Sequence, residues 1–350
     1  MRYLITALLL IGTLSAFAQS SKYVVETPTD LEWVEKDGKF GLYHFKKEIF
    51  VIEPKFDAAE FYGKNLSMVK ENNQYGIINH EGDELTSMDF DTTINFSQEI
   101  ILAKKKNKFS LVRKESLTEE LFGFAASSTT KDREYDQVIV SYADDFAIVK
   151  LADKYGYIDY RGDEVIKLTY DAATIFENGA ASVKKDGKWG VIEKDENILI
   201  PFKYAYLSRF SNGYSVGQNV EGKWGIINKN DSTLFKFEYD FLTPMNDEGI
   251  SIAKKNGKYG LLNQRGKVIV PFEYDFDENY SGLPQVCEGY VWLKHEGKWG
   301  TVDYTGKVVI PFKYDDLHST DGDEARVYLG EKMQIIDSKG ECLVNCGVNP

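Results

Sequence analysis

An aromatic residue followed by glycine, intact or degraded, recurs along this chain with a period near 35 residues. The positions are Phe40-Gly41, Tyr75-Gly76, Phe109-Ser110, Tyr155-Gly156, Trp189-Gly190, Trp224-Gly225, Tyr259-Gly260, Trp299-Gly300 and Met333-Gln334. Successive steps are 35, 34, 46, 34, 35, 35, 40 and 34 residues. A period held from near one end to the other requires an array of one small supersecondary unit. Each copy must bury its apolar face against its neighbours.

The fifth unit shows the pattern best. A first strand, about Ala180 to Lys185, alternates small or apolar residues with polar ones. Asp186-Gly187 then supplies a two-residue turn at which both positions tolerate positive φ. A return strand carries Trp189 and Val191, and a third strand runs to Ile200. Proline lacks an N–H, so Pro54, Pro201, Pro271 and Pro311 are expected to end the third strand of their units. Second turns fall at Glu81-Gly82, Arg161-Gly162, Arg265-Gly266, Thr305-Gly306 and Lys339-Gly340. Past the third strand comes an aromatic residue followed by aspartate, as in Phe56-Asp57, Tyr239-Asp240, Tyr274-Asp275 and Tyr314-Asp315. That aspartate is expected to accept backbone N–H bonds within a turn. The anchor glycine is expected to let the next unit approach, because a Cβ there would hold the layers apart.

This punctuation predicts an all-β fold of tandem ~35-residue β-meander or hairpin repeats. The units outnumber the four to eight blades of a usual propeller and are short for one. An open, twisted array is therefore favoured, with a β-propeller-like ring as the alternative.

The in-register runs Asp186-Gly187-Lys188-Trp189-Gly190, Lys223-Trp224-Gly225 and Lys298-Trp299-Gly300 resemble the WG (KWG) repeat family of bacterial proteins. The resemblance extends from Leu31 to the C-terminus. It implies a β-rich repeat architecture and no general enzymatic activity. The third and ninth units, at Phe109-Ser110 and Met333-Gln334, depart from the pattern, and the ninth is expected to act as a cap.

Residues 1–18 read as a signal peptide, with Arg2, an apolar run from Leu4 to Phe17 and cleavage near Ala18/Gln19. Residues 19–30 form a short lead-in, and 31–350 hold about nine repeats. Gln19 is not cysteine, so a lipid anchor has no thiol, and no later segment is apolar enough to span a bilayer. The mature chain is expected to be exported, to the periplasm, the cell surface or the outside.

The formal net charge of −13 becomes −14 when Arg2 leaves, which argues against nucleic-acid binding. The one dense basic cluster, Lys104-Lys105-Lys106 with Lys108, reads as a solvated hairpin face. Of the three cysteines, Cys342 and Cys346 are close enough for a disulfide, with Cys287 left as a buried thiol. The histidines His44, His80, His295 and His318 show no ligand spacing with these thiols, so neither metal nor cofactor is expected. Asp321, Asp323 and Glu324 read as a solvated turn.

Gly213-Tyr214-Ser215-Val216-Gly217 matches the nucleophile-elbow pattern. That chemistry needs a strand, a sharp turn and then a helix. Here the serine occupies the first-strand slot of the sixth unit, so no catalytic residue is assigned. Insertions at about Lys114–Arg133, with one helical turn near Leu117–Leu121, and at about Asp277–Pro284 mark candidate recognition loops. The functional expectation is a non-enzymatic scaffold for another protein. The alternative is a glycan or cell-wall binding module, drawing on the chain's 14% aromatic content through rings such as Tyr280, Tyr290 and Tyr304.

Overall fold

The computed structural model describes residues 27–119, 133–141, 146–276, 286–287, 289–321 and 324–346. Among them the fold is all-β apart from one short helix, Lys114–Glu119. That helix lies one turn earlier than the sequence suggested. The rest of that insertion, the 277–284 insertion, the leader and most of the lead-in lie outside the described residues.

The chain divides into two compact units after Tyr170. The first holds four antiparallel sheets, whose hairpins are Leu31–Lys36 with Lys39–His44, Leu66–Glu71 with Gln74–Ile78, Ile100–Lys105 with Lys108–Arg113, and Phe146–Leu151 with Lys154–Asp159. The second holds five, with hairpins Ala180–Lys185 and Lys188–Glu193, Tyr214–Gln218 and Trp224–Asn228, Ile250–Lys255 and Lys258–Asn263, Tyr290–His295 and Lys298–Asp303, and Glu324–Leu329 and Lys332–Asp337. Every sheet is assembled from strands consecutive in sequence. Inner hairpin strands such as Leu66–Glu71 and Ile250–Lys255 are buried on both faces, because their sheets pack between neighbours within the unit, whereas the outer strands Leu31–Lys36 and Glu324–Leu329 are not. Val191, Ile200 and Tyr204 of the fifth sheet share one cluster with Leu207, Phe210 and Ile227 of the sixth. Val216, Ile226 and Tyr239 of the sixth join Leu242, Ala253 and Leu262 of the seventh. In the first unit Leu42, Ile52 and Phe56 meet Val69 and Ile78 in the same way.

A fourth strand, which the sequence does not announce, completes most sheets. It is only two residues long at Ala172–Ala173, Tyr206–Leu207, Phe241–Leu242 and Val286–Cys287. Tyr206–Leu207 and Phe241–Leu242 each follow the preceding third strand after a single residue, so one run of chain ends one sheet and edges the next.

The third strand corrects two expectations. It does not stop at proline: Ile198–Tyr204 runs through Pro201, and Val308–Tyr314 runs through Pro311. Against Trp189 and Val191, two residues apart, stand Tyr204 and Ile200, four apart. The strand therefore carries two extra residues at this point, a bulge in which the missing proline N–H has no ladder partner to lose. Gly190 lies beneath that bulge. A Cβ on it would stand 2.6 Å from the Ile200 carbonyl oxygen and 3.0 Å from the Phe202 ring. The anchor glycine thus makes room for the third strand of its own unit, and not for the next unit. Gly225, Gly260 and Gly300 repeat the arrangement under Phe237, Phe272 and Phe312. Pro54 is out of step with the other prolines. With Ile52 opposite Leu42 and Phe56 opposite Phe40, Pro54 takes the place of Phe202, one residue later than Pro201.

The aspartate after the third-strand aromatic also does more than close a local turn. The Asp240 backbone N–H donates to the Lys254 carbonyl of the next sheet at 2.8 Å. Its carboxylate accepts from Lys223 Nζ of the preceding hairpin at 2.6 Å and from the Gly257 N–H of the next hairpin turn at 3.1 Å. Asp57 with Lys39 and Asn72, Asp136 with Lys108 and Ala152, and Asp315 with Lys298 and Gly330 form the same clasp. The hydrogen bond from lysine is the largest influence holding the carboxyl groups of Asp57, Asp136, Asp240 and Asp315 below their ordinary pKa.

Two outcomes follow. Gly300→Ala forces the bulged strand to move and should lower stability by about 1–3 kcal/mol, read from the urea midpoint. The clasp carboxyls have depressed folded-state pKa values, so their stabilisation is complete above the unfolded value of about 4 and is lost as pH falls through the folded values. Urea midpoints should hold from neutral pH down to about 4 and then fall. Asp240→Asn should lower the neutral midpoint and flatten that fall.

Candidate functional site

The aromatic anchors occupy one register: Trp189 faces Tyr204, Trp224 faces Tyr239, Tyr259 faces Tyr274 and Trp299 faces Tyr314. Phe40, Tyr75, Tyr155, Trp189 and Trp224 are half-buried, while Tyr259 and Trp299 are buried; Gly41, Gly76, Gly156, Gly190, Gly225, Gly260 and Gly300 are all buried. In the second unit the anchors join a ladder of rings. Tyr206 bridges Trp189 and Trp224 with centroids at 5.7 and 5.6 Å, and Phe276 bridges Tyr259 and Trp299 at 6.0 and 5.4 Å. A lysine of the facing strand caps several of these rings, Lys254 over Tyr259 at 5.2 Å and Lys294 over Trp299 at 5.0 Å.

Ser215 lies in the strand Tyr214–Gln218, fully buried, and another strand follows it. Its Oγ donates to the Ser208 carbonyl at 2.8 Å. Ser182 donates to the same carbonyl at 2.8 Å, and Ser251 to the Thr243 carbonyl at 2.6 Å. Ser215 and Ser251 share one slot of the repeat and bond the connection leading into their own hairpins, whereas Ser182, one position further along its strand, reaches from the fifth hairpin to the connection of the sixth. A second pair, which sequence reading missed, is Ser67 and His80, joined Oγ to Nε2 at 3.1 Å. It has the chemistry of a nucleophile and a base, but Ser67 is fully buried, Trp33 Nε1 donates to its Oγ at 3.1 Å, and Phe61 packs edge-on against the imidazole. Burial lowers the His80 pKa, so the ring stays neutral at physiological pH. No sequence signal could have paired them, since their meeting depends on the hairpin register.

Cys342 and Cys346 form a disulfide with Cα atoms 5.5 Å apart. The side chain of Cys287 is outside the described residues. Among the described residues no three His, Cys, Asp or Glu side chains converge as metal ligands, and no helix is long and apolar enough to cross a membrane. The lysine run is taken up locally: Lys105 pairs with Asp89, Lys108 with Asp136, and Lys104 caps Phe109. Of the tyrosines considered for sugar stacking, Tyr290 is buried and Tyr304 accepts a bond from the Asn246 amide at 3.2 Å. Tyr280 lies outside the described residues.

One cavity of about 640 Å³ opens in the second unit, between the loops that enter the sixth and seventh hairpins. Arg209, Asn212, Met245, Glu248, Gln264 and Arg265 are among its lining residues. The guanidinium groups of Arg209 and Arg265 have no partner among the described residues.

These features define a serial β-repeat scaffold whose reactive side chains are tied into the fold. The chain belongs to the WG-containing repeat family, whose profile matches residues 41–75, 75–109, 155–189, 189–216, 224–259, 259–299 and 299–332. No curated protein matches the sequence. Among solved structures it is similar to a eukaryotic initiation factor, at 13% identity over 87% of this chain and 92% of that one, with a TM-score of 0.39. BamB from Moraxella catarrhalis is similar at 10% identity over 79% and 78%, TM-score 0.33. AztD from Citrobacter koseri is similar at 10% over 80% and 91%, TM-score 0.32.

If Ser215 serves only the connection, Ser215→Ala should cost about 1 kcal/mol of stability, measured by urea unfolding, and change nothing else.

Proposed function

We propose that this chain is an exported, non-enzymatic scaffold that binds another protein in the cell envelope or outside the cell. The observation that carries this reading is the cavity between the sixth and seventh hairpins. Its rim sets Arg209 and Arg265, without an ion-pair partner among the described residues, beside the amides of Asn212 and Gln264 and the carboxylate of Glu248. Such a mixture of donors and acceptors suits a polypeptide, which offers both along its backbone and charge on its side chains. The Cys342–Cys346 disulfide supports export, because such bonds persist in oxidising compartments. The net charge of −13 opposes nucleic acid as the ligand. Ser215 and the Ser67–His80 pair are committed to internal hydrogen bonds, which supports a role without catalysis.

The glycan alternative draws less support. Tyr290 is buried, and the half-exposed rings of the ladder meet at interplanar angles of 65° and 57°, so they form no flat platform for a sugar.

Chemical cross-linking of the mature chain in envelope extracts tests the proposal. Protein adducts should form and should weaken when Arg209→Glu and Arg265→Glu are combined. Absence of protein adducts, together with retention on purified cell-wall saccharide, would overturn it.

A further inference from the structure

The repeats provide their own control for one anomalous junction. At the next two junctions of the second unit, an aspartate after the third-strand tyrosine takes the lysine of the preceding hairpin: Asp240 with Lys223, and Asp275 with Lys258 at 2.7 Å. Asp315 and Lys298 repeat the pair after that. Between the fifth and sixth sheets that residue is Ala205. Its N–H still donates to the Gln218 carbonyl at 2.9 Å, so the backbone path is unchanged. Lys188, in the slot of Lys223, Lys258 and Lys298, has no carboxylate partner among the described residues. The sixth hairpin does not need the missing aspartate, because Asn219 Oδ1 accepts from the Glu221 and Lys223 N–H groups at 3.1 and 2.9 Å.

A second charge is missing at the same place. Lys254 and Lys294 cap Tyr259 and Trp299, which are 3% and 0% exposed. The residue facing Trp224 is Gln218, and its amide turns away to donate to the Gly222 carbonyl at 3.0 Å. Trp224 and Trp189 are half-buried, as are the lysine-capped Tyr75, Phe109 and Tyr155, and Tyr206 between the two tryptophans is 40% exposed. The turn that joins the Gln218 and Trp224 strands carries Val220, 68% exposed and the most exposed large apolar side chain among the described residues. An unpaired cation and an uncovered apolar surface therefore coincide on a strongly acidic chain.

The geometry points to a docking site at this junction for a protein segment that bears an aspartate or glutamate beside an apolar side chain. The partner's carboxylate takes the role that Asp240 and Asp315 play elsewhere and pairs with Lys188. Its apolar neighbour covers Tyr206 and Trp224, as Lys254 and Lys294 cover their rings. The inference rests on the protein-binding reading above and assigns it a second surface, distinct from the Arg209–Arg265 cavity.

The test is selection of a displayed random heptapeptide library against the mature chain. Peptides with an acidic residue next to an apolar one should be enriched. Ala205→Asp supplies the carboxylate from within and sets a like charge against the peptide, so it should weaken the enriched peptides by about tenfold. It should not lower the urea midpoint, since aspartate is the residue used at the equivalent positions. Lys188→Gln should weaken them by about threefold, and the Arg209→Glu, Arg265→Glu pair should leave them unchanged. Enriched peptides without acidic residues, or binding that survives Ala205→Asp, would overturn this site. If that surviving binding is lost with the arginine pair, protein binding stands and only the location fails. No enrichment at all would count against both.

Discussion

The repeats anchored at Gly41, Gly156, Gly190, Gly225, Gly260 and Gly300 are organised by a strand that crosses over a residue with no side chain. Trp189 and Val191 are two residues apart, but the partners they meet, Tyr204 and Ile200, are four apart. The extra length rises over Gly190 and brings the Ile200 carbonyl to where a Cβ would be. Leaving the sheet at Tyr204, the chain skips only Ala205 before it enters the next sheet at Tyr206. The glycine therefore governs more than its own position. It permits the bulge, the bulge ends the sheet, and the end of one sheet becomes the edge of the next. Burial of both faces of the inner hairpins follows, since each of those sheets lies between two others of its unit.

The charged residues sit on top of that frame. The aspartate clasp joins the lysine of one hairpin to a turn N–H of the following hairpin, as Asp240 does with Lys223 and Gly257. Exposed ion pairs contribute little singly. Repetition with both a cation and a backbone donor makes the clasp a register mark between sheets, more than a source of large stability. Where it is absent, at Ala205, the backbone bond to Gln218 remains and the core cluster of Leu207, Phe210 and Ile227 continues. The fold tolerates the loss.

Much of this was legible in the sequence. Asp186-Gly187 announces a turn because both residues accept positive φ, and their φ angles are 49° and 78°. The period of the aromatic–glycine pairs gives the tandem hairpin sheets, and the apolar alternation gives the strands. The two-residue edge strands were not legible, since Tyr206-Leu207 carries too few residues for any pattern and pairs only because the next hairpin lies beside it. Nor was the role of proline. A missing N–H marks a break in a ladder, and the sequence cannot distinguish a strand's end from a bulge within it. Pro54 illustrates this, since it matches Pro201 by eye and Phe202 in register. Buried Ser215, read from its neighbours as a strand residue, needed the position of Ser251 to explain what its hydroxyl does.

The most direct measurement is the set of glycine Hα chemical shifts. Gly225, Gly260 and Gly300 lie under the rings of Phe237, Phe272 and Phe312, whereas Gly156 lies under the Ile166–Leu168 backbone, where Leu168 takes the place of the phenylalanine. If the third strand crosses the glycine as described, the first three residues should show strong upfield ring-current shifts and Gly156 should show none. Ordinary strand shifts at all four would mean that the strand does not pass over the glycine, and the bulge could not then be what organises the repeat.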